Sequence, residues 1–177
     1  MIKSKFILIC SLLLITYTVA AQDTKPGYDV FSFELAVTVP GTTTQIYDAM
    51  TCDISGWWDH SFSEKPYRLY IDAVPGGGFF EIFNAGGDGV KHATVIYSDR
   101  GKMLRMDGPL GLSGKAVQMV TTYAFSPTGA DSTTVKLSVH AAGEIGDGVP
   151  AVVESVWRHF LVERFKPYVE NGMKPVE

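Results

Sequence analysis

Asp59 and His60 place a carboxylate directly beside an imidazole, a pairing that suits either proton transfer or a share in a metal site. A metal needs three or four convergent ligands, and His92, His140 and His159 stand at neither helical nor finger-like spacing from His60. Alternation puts His140, after Lys136 and Ser138, on the solvent side of its strand, and His159 falls on the polar side of a helix. The expectation is no metal site. Nucleophilic catalysis also lacks its signatures: there is no Gly-x-Ser-x-Gly elbow, no His-Glu-x-x-His, and no cysteine in a recognisable catalytic context. The glycine clusters at 76–78 and 86–89 lie between strand-like runs rather than between a strand and a helix, so they read as hairpin turns and not as dinucleotide loops. No cofactor and no catalytic residue is assigned.

Two features suit binding better. Trp57 and Trp58 are adjacent, so on a regular element their rings cannot both point the same way, and one belongs to a core while the other faces a cavity mouth. Arg164 falls near the middle of the apolar stripe of a late helix. A guanidinium there needs a partner: a strand carboxylate (Glu34, Asp72 or Glu81) at the rim, or the carboxylate or phosphate of a ligand. The rim is the favoured reading.

The elements that carry these residues follow from periodicity. Phe31, Phe33, Leu35, Val37 and Val39 alternate with polar or small residues, the pattern of a strand with one buried face. Pro40-Gly41 stops it, and Thr42 or Thr43 caps a short helix through Met50; a second short helical turn is expected over Asp53 to Trp58. Six strand-like runs then follow at short intervals (68–74, 79–84, 91–98, 103–107, 119–126 and 133–141), an antiparallel meander. After Pro150 the period becomes helical: Val149, Val152, Val153, Val156, Trp157, Phe160, Arg164 and Tyr168 share one side, and Pro167 is expected to kink or end the helix.

Strand, two short helices, meander and long helix are the element order of the SRPBCC superfamily, which includes START and birch-pollen-allergen-like domains. The chain most resembles its branch related to the activator of a heat-shock ATPase. The residues that carry the resemblance are Trp57-Trp58, Pro75-Gly-Gly-Gly-Phe-Phe-Glu81, Asp88-Gly-Val, and Gly101-Lys-Met-Leu-Arg105 before the Gly-Pro-Leu-Gly111 loop. The resemblance implies an α+β helix-grip fold over residues 30–171, with a curved antiparallel sheet of about seven strands wrapped around the C-terminal helix. It also implies a cavity between sheet and helix, with Trp57, Trp58, Ile82, Leu104, Met106, Tyr123, Trp157, Phe160 and Arg164 as its expected ligand-binding residues. An apolar or amphipathic small molecule is the expected occupant. A cyclase- or dehydratase-like enzyme in the same cavity is the alternative, for which Tyr97, Tyr123, Glu81 and Arg105 are the available acid/base groups. An interaction module like the heat-shock ATPase activators is the third reading.

Lys3 and Lys5 precede an apolar run, Phe6 to Val19, that ends in Val19-Ala20-Ala21, so residues 1–21 read as a cleavable signal peptide. The expected location is periplasmic or secreted, with a leader at 22–29, a tail at 172–177 and no stable membrane insertion after cleavage. Bulky Ile9 before Cys10 argues against lipid attachment there. Of the 15 basic residues only Lys3 and Lys5 lie in that segment, leaving 13 basic against 19 acidic and a net charge of −6. Nucleic acid is therefore not an expected partner, because phosphate binding needs clustered Lys and Arg. Cys52 is the one cysteine of the expected mature chain, so no internal disulfide can form, and burial is expected for it.

Overall fold

The computed structural model describes residues 27–175, and the expected signal peptide, most of the leader and the last two residues lie outside that range. Eight strands form one antiparallel sheet: β1 (Tyr28–Pro40), β2 (Cys52–Asp53), β3 (Arg68–Ile71), β4 (Gly78–Ile82), β5 (Gly89–Asp99), β6 (Met103–Asp107), β7 (Val117–Pro127) and β8 (Ser132–Glu144). Their order is β1-β8-β7-β6-β5-β4-β3-β2, so the meander is continuous and the first strand closes onto the last. β1 pairs with β8 along its full length, from Tyr28 opposite Glu144 to Pro40 opposite Ser132. Its alternation holds: Leu35, Val37 and Val39 are buried, and Phe31 and Phe33 pack on the core from a half-buried position. Tyr28 already belongs to the strand, three residues before its expected start at Phe31.

Helix α1 (Thr43–Met50) opens on a capping box, in which the Thr42 hydroxyl accepts from Gln45 N and the Gln45 side chain accepts from Thr42 N. The second expected helix is not one. The chain forms the two-residue strand β2, which raises the strand count to eight, and then a single turn in which Ile54 O accepts from both Trp57 N and Trp58 N. Cys52 is exposed on that edge strand, at φ 61°, not buried.

The C-terminal helix has three parts: α2 (Val149–Arg158), a π-helical segment (His159–Phe165) and α3 (Lys166–Glu170). Pro167 does not end it. The proline ring would clash with the carbonyl four residues back in a plain α-helix, and the widened turn immediately before it removes that conflict. The π-segment also spends one extra residue, which shifts the buried stripe. Trp157, Phe160 and Leu161 continue into Phe165 and Val169, each buried, instead of Arg164 and Tyr168. Strands and helix share one core that includes Leu35, Val37, Leu104, Leu137, Trp157 and Phe160, with Val153 and Val156 packed against it.

Candidate functional site

Between the helix and the β4–β7 part of the sheet lies a cavity of about 370 Å³. Phe79 of β4, His92 of β5 and Met119 of β7 form its floor; Val152, Val153, Val156, Trp157 and Phe160 form the helix side. The segment 58–62 and the loop 109–112 complete the wall. Trp58 is held there by aromatic packing on three sides: it stacks on Phe160 with ring centroids 3.7 Å apart and meets Phe79 and Trp157 edge-on. The 109–112 loop is pinned at Gly108, where a Cβ would come within 2.4 Å of Ala93 Cα, so only glycine lets the chain pass so close to β5.

A buried acid, Glu81, holds the floor residue His92 without itself lining the cavity. Glu81 has no exposed surface, and its carboxylate accepts from Phe62 N (3.0 Å) and Ser63 N (2.9 Å) and meets His92 Nε2 at 3.0 Å. Burial alone would raise its pKa, but the Phe62 and Ser63 amides and His92 outweigh it and hold the carboxyl below the ordinary range. Burial lowers the pKa of His92 despite the neighbouring carboxylate, so its imidazole is neutral. An ionised carboxylate can only accept, which assigns the proton of His92 to Nε2 and leaves Nδ1 as an acceptor.

A β-bulge makes this arrangement possible. Phe79 faces Ala93 and Phe80 faces Lys91, so His92 is the extra residue and both it and Ala93 point inward. Strict alternation therefore fails at His92, and no sequence periodicity exposes it. Glu81 was legible, since it alternates with Phe79, but charged strand residues usually face water.

At the outer end of the cavity, Asp59, His60 and His159 converge, although their spacing in the chain gives no sign of it. Asp59 Oδ1 meets His60 Nδ1 at 2.8 Å and His159 Nε2 at 3.0 Å, while Glu163 Oε2 meets His159 Nδ1 at 3.0 Å. Glu163 chiefly, with Asp59, raises the pKa of His159 against the effect of its partial burial. Burial pushes the Asp59 carboxyl up, and hydrogen bonds from His159 and His60 overcome it, leaving the group below its usual range.

Of the residues expected to bind a ligand, Trp58, Trp157 and Phe160 line the cavity. Trp57 is buried beside it, against Phe165 at 5.1 Å. Leu104 and Met106 fill the core between strands, and Tyr123 lies buried behind Trp157. Burial pushes the Tyr123 phenol far up, so it stays protonated. Ile82 is half-buried on the face of β4 opposite Glu81. Arg164 sits at the rim with its Nε 3.3 Å from Asp59 Oδ2, a carboxylate other than the Glu34, Asp72 and Glu81 expected for it. The π-segment accounts for this, having rotated Arg164 off the buried stripe. Tyr97 is exposed and Arg105 donates to Thr122, both away from the cavity.

The chain matches no family model and no curated protein. Solved structures do match. CalU16 from Micromonospora echinospora superposes with a TM-score of 0.57 at 15% identity, over 88% of this chain and 88% of that one. The Aha1 dimer subunit from Colwellia psychrerythraea gives 0.55 at 17% identity, over 80% and 98%. DynU16, from the dynemicin biosynthetic locus, gives 0.51 at 20% identity, over 81% of this chain and 48% of its own. Identities this low speak to architecture alone. Eight antiparallel strands gripping a C-terminal helix, with superpositions on these proteins over most of the chain, make this an α+β protein of the helix-grip fold.

Proposed function

We propose that the chain is an exported binding protein for an apolar or amphipathic, lipid-like small molecule held between sheet and helix. The observation that carries this reading is the cavity itself, about 370 Å³ walled largely by aromatic and aliphatic side chains. That volume lies within the range typical of small-molecule sites. Its polar groups are few, with neutral His92 on the floor and His60 and Ser61 near the mouth, which suits a ligand with a long apolar body and one polar point. Export is supported by the basic, apolar, then small-residue order of 1–21. Among the described residues no helix is long and apolar enough to cross a membrane. The test is native mass spectrometry of protein purified from its own compartment, followed by extraction. A reproducible apolar species is expected, and it should be lost in Val153→Trp, which fills the cavity. Empty protein from every preparation would refute the reading.

One observation favours a second reading, a cyclase- or dehydratase-like enzyme. Glu81 fixes the tautomer of His92, and an imidazole so held beside an apolar cavity is suited to take a proton from a bound substrate. DynU16 comes from a biosynthetic locus, which is compatible with such chemistry without deciding it. His92→Gln separates the two: an enzyme loses turnover and keeps its ligand, whereas a carrier has no turnover to lose.

A further inference from the structure

We propose that Asp59, His60 and His159 form a binding site for a divalent transition-metal ion of the zinc class at the rim of the cavity. The three residues each offer a ligand atom, and these atoms lie within 4.8 Å of one another. Two imidazoles and one carboxylate are a donor set that zinc accepts, with a fourth position left for water or substrate. Both imidazoles already converge on the Asp59 carboxylate: His60 Nδ1 lies 2.8 Å from Oδ1, and His159 Nε2 straddles Oδ1 and Oδ2 at 3.0 and 2.9 Å. In a tetrahedral site with bonds of about 2.0–2.1 Å, neighbouring ligand atoms stand roughly 3.3 Å apart, so the two carboxylate–imidazole distances open by a few tenths of an ångström while the imidazole nitrogens adjust from a separation within 4.8 Å.

The support around the three residues is that of a metal centre. Glu163 holds Nδ1 of His159, which fixes the ring and presents Nε2 inward, the carboxylate–histidine arrangement found behind metal ligands. The segment carrying Asp59 and His60 is anchored on both sides. Trp58 Nε1 donates to His60 O at 2.7 Å, and Glu81 takes the next amides, Phe62 N and Ser63 N. The His60 ring also rests against Phe160, with centroids 4.8 Å apart. Arg164 is the opposing charge, but it stands by Oδ2, and the carboxylate can bridge it to an ion on Oδ1. Glu163 balances that cation from the other side of His159. The site needs no occupant in the cavity, so it stands or falls separately from the binding reading above.

The experiment is a titration of chelator-stripped protein with Co²⁺, read by visible absorption. Tetrahedral Co²⁺ absorbs far more strongly than the aqueous ion, and one equivalent should produce that spectrum, which Zn²⁺ should then bleach. His159→Ala should weaken binding by more than about 100-fold, and Glu163→Gln by about 10–100-fold, the usual effect of losing an outer-shell partner. His140→Ala, far along β8, should change nothing. A spectrum of the aqueous type would overturn the proposal, as would thiolate charge-transfer bands placing the ion on Cys52. So would unchanged affinity in His159→Ala with unchanged circular dichroism. Should that variant fail to fold, Glu163→Gln decides alone, because it alters an exposed side chain, and unchanged affinity there refutes the site.

Discussion

Glu81 is a carboxylate with no exposed surface, and a charge in that position persists only when its lone pairs are filled. Two amides and an imidazole fill them. Glu81→Ala leaves those donors facing a void and should cost about 3–5 kcal/mol in urea denaturation, as breaking a buried pair does. The same pair sets an acid sensitivity. The pKa of His92 is lower folded than unfolded, so its stabilisation is present above the unfolded value of about 6.5 and declines as pH falls below it. Glu81, also lowered, adds a further loss as pH falls through its folded value. His92 and Glu81 thus favour a drop in stability from pH 7 to pH 5, opposed by His159, whose raised pKa adds stability over the same window. His92→Gln should gain stability relative to the parent as pH falls, and a pH-independent difference would show that His92 carries none of the slope. Arg164 gives a second test. With its guanidinium on Asp59, Arg164→Met should leave the preference between a matched fatty acid and fatty alcohol unchanged by calorimetry. A loss of affinity confined to the acid would make it a ligand clamp.

The C-terminal helix is where one local irregularity redirects a whole face. Its stripe reaches Phe165 and Val169 because the π-segment inserts one residue, and the expected neighbours Arg164 and Tyr168 are left only partly buried at its side. Phe165→Ala should therefore cost about 3–5 kcal/mol, and Arg164→Ala less than that. The reverse ranking would mean that the helix runs in plain α register. This is also where the sequence stops being legible. A 3.6-residue count correctly places Val153, Trp157 and Phe160 on the buried side, and period two correctly places Leu35, Val37 and Val39. Neither count survives an inserted residue, and both the bulge at His92 and the π-segment before Pro167 are insertions. His92 and His159 sit at those insertions, so periodicity does not place these two polar groups of the site. Convergence of Asp59 with His159, 100 positions later, depends on tertiary packing that no spacing rule encodes.

At the scale of the molecule, the proposed export predicts a definite mature terminus. Intact-mass measurement on protein from the compartment should place Gln22 first, and retention of Met1 through Ala21 would refute cleavage. The closure of the sheet has a consequence for how the chain is made. β1 has β8 as its one partner strand, and Tyr28 waits for Glu144. At synthesis rates of roughly 5–20 residues per second, that is a delay of about 5–20 s during which Phe31, Phe33, Leu35 and Val37 have no neighbour to cover them. A strand-forming segment with a bare apolar face is prone to pair with the wrong chain. Truncation before Ser132 should therefore yield aggregates rather than a smaller fold.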